Sequence, residues 1–248
     1  MKTNYNIIAN NYNERYAQNK MAGVLGWLKK TIAQNNFTNI LEVGCGTGYW
    51  LNKLKGNNHK LYGLDYSVGM LKKAAGIDDL INASADSMPV KNNSMDFVIV
   101  VNAIHHFKSP ANFFASLYNL LKSKGQIAII LVDIRDANHK WYIYDYFVGT
   151  HEYDLNRIPA IGTLLEMMTT NGFKNVKSKT LEITKKSASG QKVFDDHFLS
   201  KLGNSTLADL NERDYANGIE KIRREIEKNP ARIFESNIVF KVVYGSKP

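Results

Sequence analysis

The chain has 248 residues, 44% of them hydrophobic, with 32 Lys and Arg against 23 Asp and Glu for a net charge of +9. That length buries a sizeable single core, so one domain over residues 1–248 carrying insertions is expected. No apolar run approaches the roughly twenty residues of a membrane span, Met1–Asn6 lacks a signal peptide's hydrophobic region, and the lone Cys45 excludes an internal disulfide or a cysteine metal cluster. A cytoplasmic protein is the expectation. The basic surplus is scattered over Lys29-Lys30, Lys72-Lys73, Lys185-Lys186 and Arg223-Arg224, short pairs that read as solvated faces and argue against a nucleic-acid partner.

In chain order, residues 5 to 16 hold Tyr5, Tyr12 and Tyr16 on a polar background, which by itself reads as a frayed helix with tyrosines on its inner face. Met21, Val24, Leu25, Leu28 and Ile32 recur at helical spacing and predict an amphipathic helix. Asn39-Ile40-Leu41-Glu42-Val43 is a short apolar strand that runs into Gly44-Cys45-Gly46-Thr47-Gly48, after which Tyr49 to Leu54 continues as a helix. Glycines at 44, 46 and 48 remove side chains from a sharp turn and let backbone N–H groups at a helix N-terminus approach a polar ligand. Cys45, inside that turn, reads as a small packing residue rather than a nucleophile. Dinucleotide turns read G-x-G-x-x-G; this one reads G-x-G-x-G, with Glu42 two positions before the first glycine.

Lys60 to Asp65 repeats the strand pattern and ends in a carboxylate, where a doubly wound sheet presents an acid to a ribose diol. Ser67 is a plausible N-cap for a helix through Val68, Met70, Leu71 and Ala74, and Leu80 to Pro89 is the next strand and loop. Asp96–Val101 is a continuous apolar strand, as in a parallel sheet covered on both faces, and it ends in Asn102-Ala103-Ile104-His105-His106-Phe107. Ser109-Pro110 starts a helix with Phe113, Phe114, Leu117, Leu120 and Leu121 on one side, closed near Gly125, and Gln126–Val132 is the fifth strand.

Residues 133 to 157 are dense in aromatics, a composition that fits either a cap over a site or an aromatic helix packed on the core. Ile161, Leu164, Leu165 and Met168 mark a helix, Val176 to Thr184 a sixth strand, and Asn237 to Tyr244 the last strand. Residues 185 to 235 are inserted before it, with Tyr215, Ile219, Ile222 and Ile226 on one helical stripe that Pro230 stops. That insertion could shape a homodimer contact or the outer wall of a pocket.

From Glu42 to Gly48, together with Asp65, the chain resembles the class I S-adenosylmethionine-dependent methyltransferases, over roughly residues 36 to 132. The resemblance is to the small-molecule branch that includes enzymes of quinone and biotin-precursor biosynthesis. It implies a Rossmann-like α/β fold: a seven-stranded doubly wound sheet with its last strand antiparallel, helices on both faces and a helical, aromatic cap insertion. It implies S-adenosyl-L-methionine as cofactor, S-adenosyl-L-homocysteine as product, and cofactor contacts from Glu42, Gly44, Cys45, Gly46, Gly48 and Asp65. Tyr66 and Met70 would stand beside the adenine, although Met70 reads equally as core filler. Asp86 would accept from the adenine amino group, with Ser87 next to the ring nitrogens, and Asn102 lies at the strand end that faces the reacting methyl. Tyr12 and Tyr16 would be lid residues, and His139, Tyr142, Tyr146 and His151 of the aromatic insertion would bind the acceptor.

Methyl transfer from a sulfonium is an in-line displacement, so alignment in a dry pocket is the protein's main contribution and a base is optional. His105 is the candidate base, while His106 is expected to fall on a helix start and pack. The Asn/Asp-Pro-Pro-aromatic element of amino-methylating DNA enzymes is absent, the sole cysteine is in the glycine turn, and the adjacent Asp-Asn pair of metal-dependent catechol-type enzymes is missing, so no metal is expected. The expected activity is methyl transfer to the oxygen, nitrogen or carbon of a small-molecule acceptor. An RNA or tRNA methyltransferase, favoured by the basic charge, and a cofactor-binding module without catalysis are the alternatives.

Overall fold

The computed structural model describes residues 13–18, 20–77 and 79–248. They fall into two compact units. Residues 21–132, 159–182 and 240–248 form one, termed the sheet unit; residues 133–158 and 183–239, with the described residues before 21, form the other, termed the insert unit. Both predicted insertions lie within the insert unit.

In the sheet unit, β1 (Asn39–Val43), β2 (Lys60–Asp65), β3 (Asp79–Asn82), β4 (Met95–Val101) and β5 (Leu121–Val132) are parallel and ordered β3-β2-β1-β4-β5. The remaining strands are β6 (Lys140–Trp141), β7 (Lys174–Ser189) and β8 (Ile233–Ser246). From Phe240 to Ser246, β8 runs antiparallel to β5, giving the Rossmann-like mixed sheet that the sequence predicts. Among the described residues there are eight strands rather than seven because the two-residue β6 adds to Ser236 and Asn237 of β8; β7, which contains the predicted sixth strand, also pairs with β8.

The apolar runs of β1 and β4 are covered as expected: Ile40, Leu41 and Phe97 to Val100 are fully buried. Helix Ala22–Asn35 buries Val24, Leu28 and Ile32, and helix Pro110–Leu120 buries Phe113, Phe114, Leu117 and Leu120, each worth on the order of 2 kcal/mol. Ser109 caps the latter, its Oγ accepting from Asn112 N, with proline in the first turn. This helix closes at Leu120, earlier than Gly125. Leu121 already pairs with Met95, and the register slips before Gln126 meets Phe97, with Lys124 in the left-handed region. At the opposite strand ends from the glycine turn, Asp96 Oδ2 accepts from Asn39 N (2.8 Å) and Thr38 Oγ1 (2.8 Å), and Oδ1 from Lys122 Nζ (2.8 Å). One carboxylate thereby ties β1, β4 and β5.

The insert unit has its own core of Tyr142, Ile143, Tyr146, Phe147, Val193, Leu199, Leu207, Ile222, Ile226 and Phe234. Helix Glu212–Lys228 carries the predicted stripe, with Ile222 and Ile226 buried. Gly218 interrupts it because a Cβ there would lie 2.3 Å from the Phe147 ring, so close approach offsets the helix propensity that glycine loses. Among the described residues no helix is long and apolar enough to cross a membrane.

Candidate active site

β1 and β2 are parallel neighbours whose register pairs Val43 with Leu64, so the turn after β1 and the acid ending β2 share one end of the sheet. The turn is anchored by the main chain: Gly44 N and Cys45 N both donate to Leu64 O, at 2.7 and 3.0 Å. Gly44 has φ +77°, and a Cβ on it would meet the Ala103 Cβ at 2.5 Å. Glycine at 44 therefore serves both a left-handed backbone and close approach by the segment that follows β4. Gly46 and Gly48 are also left-handed.

Asp65 joins these parts. Its Oδ2 accepts from Gly46 N and its Oδ1 from Ser67 N, both at 2.8 Å. Burial raises the Asp65 pKa against the lowering effect of the backbone N–H groups of Ser67, Gly46 and Tyr66. Glu42 is only 1% exposed; burial, then repulsion from Asp65, pushes its pKa well above the ordinary value. Among the described residues its Oε2 is enclosed without a hydrogen-bond partner. A buried carboxylate oxygen lacking a donor beside a glycine cradle fits a ligand that brings N–H groups, so the residues present suit the amino-acid end of S-adenosylmethionine. Cys45 is buried, and burial followed by the charges of Glu42 and Asp65 drives its thiol pKa far up, which disfavours a thiolate nucleophile.

The other candidates of the sheet unit are spread along the same strand ends. Asp86 accepts from Ser109 N through Oδ1 (2.8 Å) and from Ser84 Oγ through Oδ2 (3.0 Å); Ser87 is exposed. Tyr66 is 76% exposed, whereas Met70 is 1% exposed and packs in the core, the alternative left open for it. Ser67 caps the short helix Val68–Leu71 as predicted, accepting from Met70 N. Asn102 holds φ +49° while its N donates to Ile130 O (2.8 Å). A left-handed asparagine costs roughly 1 kcal/mol, and strain of this kind gathers at functional sites. His105 and His106 sit on a 3-10 turn, Ile104–His106, with ring centroids 4.0 Å apart. His106 is exposed instead of packed, because Ile104 takes the buried position of that turn; His105 is half-buried.

In the insert unit, Tyr16 lies half-buried on helix Glu14–Gln18; Tyr12 falls outside the described residues. Tyr142 and Tyr146 enter the core, their hydroxyls donating to Asp196 (2.9 Å) and Glu225 (2.8 Å). His139 and His151 flank Tyr144, at 6.2 and 4.7 Å between ring centroids. Val239 N donates to His139 Nδ1 (3.4 Å), and among the described residues His139 Nε2 is enclosed without a partner; burial lowers its pKa.

Sequence reasoning missed the polar centre on which Tyr144 rests. Asp154, 1% exposed, accepts from Tyr144 OH (2.8 Å), Arg157 Nε (2.8 Å) and Thr206 Oγ1 (3.0 Å). Thr206 Oγ1 in turn accepts from Arg157 Nη2 (3.1 Å). The three-residue spacing of Asp154 and Arg157 on one helix was a legible ion-pair signal; its burial was not.

Residues 41–129 match the methyltransferase domain family, and the strand order, the glycine turn and the acid ending β2 are similar to those of class I S-adenosylmethionine-dependent methyltransferases. The chain is 29% identical over 196 residues to the tRNA U34 carboxymethyltransferase of Glaesserella parasuis, covering 73% of this chain and 57% of that protein. It is 30% identical over 118 residues to the demethylmenaquinone methyltransferase of Listeria monocytogenes, covering 42% of this chain and 50% of that one. The chain thus spans about half the length of the curated relatives it matches. Among solved structures, an S-adenosylmethionine-dependent methyltransferase of Thermotoga maritima shares the fold with TM-score 0.60 at 18% identity, covering 98% of each chain. A protein from an antibiotic biosynthesis pathway of Anabaena variabilis does so with TM-score 0.70 at 20% identity, over 89% and 96% of the two chains.

Proposed function

We propose that the protein transfers the methyl group of S-adenosyl-L-methionine to a small-molecule acceptor with an oxygen, nitrogen or carbon nucleophile. The observation that carries the reading is the link from Gly46 N to Asp65 across a turn of left-handed glycines, beside the buried, donorless Glu42 oxygen. In this reading Asp65 keeps lone pairs for the ribose hydroxyls, Glu42 accepts from the amino-acid end, and Tyr66, Asp86, Ser87 and Asn102 border the rest of the cofactor. When bound, the cofactor supplies an electrophilic methyl on a sulfonium. The protein's own work is to align the acceptor with it and exclude water. His105, half-buried on the turn after β4, takes the proton from a hydroxyl acceptor. On the acceptor side His139 and His151 are the stronger candidates, since the hydroxyls of Tyr142 and Tyr146 are already engaged.

Asp65→Ala tests the assignment by calorimetry with S-adenosylhomocysteine. Loss of the charge-assisted bonds is expected to weaken binding roughly ten- to a hundredfold, and unchanged affinity refutes it. Screening metabolite extracts for mass gains of one methyl group identifies the acceptor. A second reading, methylation of RNA or tRNA, is favoured by the tRNA-modifying relative and the charge of +9. It requires binding to a tRNA pool that falls steeply with salt. A cofactor-binding module without catalysis is eliminated by steady S-adenosylhomocysteine production with any acceptor. Light scattering reads whether the insertion supports a homodimer.

A further inference from the structure

The last seven residues of β7 alternate: Ile183, Lys185, Ser187 and Ser189 are exposed, while Thr184, Lys186 and Ala188 are half-buried. The Lys185-Lys186 pair, which the sequence presents as solvated, is therefore split between two faces. Among the described residues Lys186 Nζ is enclosed without a hydrogen-bond partner, and it lies 5.2 Å from the centroid of the Phe198 ring. Arg15 Cζ lies 5.6 Å from the same centroid. Two acids of the adjoining segments already have partners. Asp196 Oδ2 accepts from Tyr142 OH (2.9 Å) and its Oδ1 from Phe198 N (3.1 Å), and Glu14 Oε2 is 3.5 Å from His197 Nδ1. Burial lowers the Lys186 pKa, and Asp196 pulls it back only in part.

An ammonium enclosed without an acceptor is among the costliest arrangements in a protein, and one aromatic face offsets only part of that cost. We propose that Lys186, with Phe198 and Arg15, is the seat of a small oxyanion, a carboxylate or a phosphate monoester borne on an apolar body. The anion accepts the ammonium's hydrogen bonds and its apolar body lies along the Phe198 ring; no proton or bond changes hands. The four-carbon stem of Lys186 supplies the freedom to admit it. Every residue involved lies in the insert unit, and the site is defined without reference to methyl transfer.

The test uses the full chain without cofactor, at constant ionic strength set with chloride. Benzoate, phenyl phosphate and inorganic phosphate are titrated by calorimetry, with benzamide as the neutral control. Saturable binding of benzoate or phenyl phosphate, absent for benzamide, is expected; the tighter of the two separates a carboxylate from a phosphate source. Lys186→Met is expected to weaken that binding at least roughly tenfold. The same variant should melt higher than the wild type when unliganded, because an enclosed cation has been replaced by an apolar chain. Binding by benzamide as strong as by benzoate, no saturable binding of any of the three anions, or unaltered binding in Lys186→Met overturns the proposal. The wild-type titration decides the matter even if the variant does not fold.

Discussion

The two units hold their polar centres by different means. In the sheet unit the candidate site is held by main-chain atoms: the N–H groups of Gly44, Cys45 and Gly46 spend themselves on Leu64 O and Asp65, and Glu42 keeps an unmet oxygen. In the insert unit the buried polar centre is made of side chains, with Tyr144, Arg157 and Thr206 all converging on Asp154, while Arg157 Nη1 is enclosed without a partner among the described residues. A main-chain site tolerates sequence change except where a side chain would intrude, and leaves room for a ligand. A side-chain network has no such tolerance, since removing one member strands the others.

Asp154 is where the insert unit is most easily broken. Asp154→Ala leaves Arg157 as an enclosed cation and strips Tyr144 and Thr206 of an acceptor, so a loss of about 3–5 kcal/mol is expected in urea unfolding. A loss below about 1 kcal/mol would mean that the network is incidental to the insert unit. In the sheet unit the corresponding weak point is a glycine. Gly44→Ala forces a Cβ against Ala103 in a left-handed backbone and should cost about 2–4 kcal/mol, with cofactor affinity falling alongside stability. Wild-type stability with intact cofactor binding in that variant would separate the turn from the site.

Asp96 sharpens the contrast, because it is the side-chain anchor of the sheet unit. Burial opposes its ionisation, but the bonds from Lys122, Thr38 and Asn39 outweigh burial and lower its pKa to about 2. Its folded pKa lies below the unfolded value, so its contribution, about 2 kcal/mol, is present above roughly pH 4 and is lost as pH falls through about 2. Asp96→Asn should be less stable by that amount at neutral pH, with the difference closing under acid. A difference independent of pH would assign the effect to packing. The smallest effect belongs to the exposed Glu220–Arg224 pair on helix Glu212–Lys228: Arg224→Ala should change stability by about 0.3–0.5 kcal/mol at low salt and by less at high salt.

What could be read in advance follows local chemistry. The apolar runs of β1 and β4, the Ser67 and Ser109 caps and the helical stripe ending at Ile226 all depend on residues within a turn or two of each other, and all are found as expected. The end of helix Pro110–Leu120 was displaced because pairing of Leu121 with Met95, distant in sequence, recruits those residues into β5. Tyr142 and Tyr146 drew attention as aromatics in a polar connection; in the structure they are core residues whose hydroxyls reach acids some 54 and 79 positions away. His106 turned outward because Ile104 won the buried position.

By itself, then, the sequence determined the alternation of strands and helices, the glycine turn and the carboxylate that answers it from the next strand. Those features rest on backbone geometry and short-range periodicity, and a parallel sheet then puts the turn and the acid at one end. Only the tertiary structure decided which polar groups are buried, which of them are matched and which stand alone. Matching Asp154 to Thr206, or leaving Glu42 Oε2 and Lys186 Nζ without partners among the described residues, depends on contacts between residues far apart in the chain. No local pattern records them.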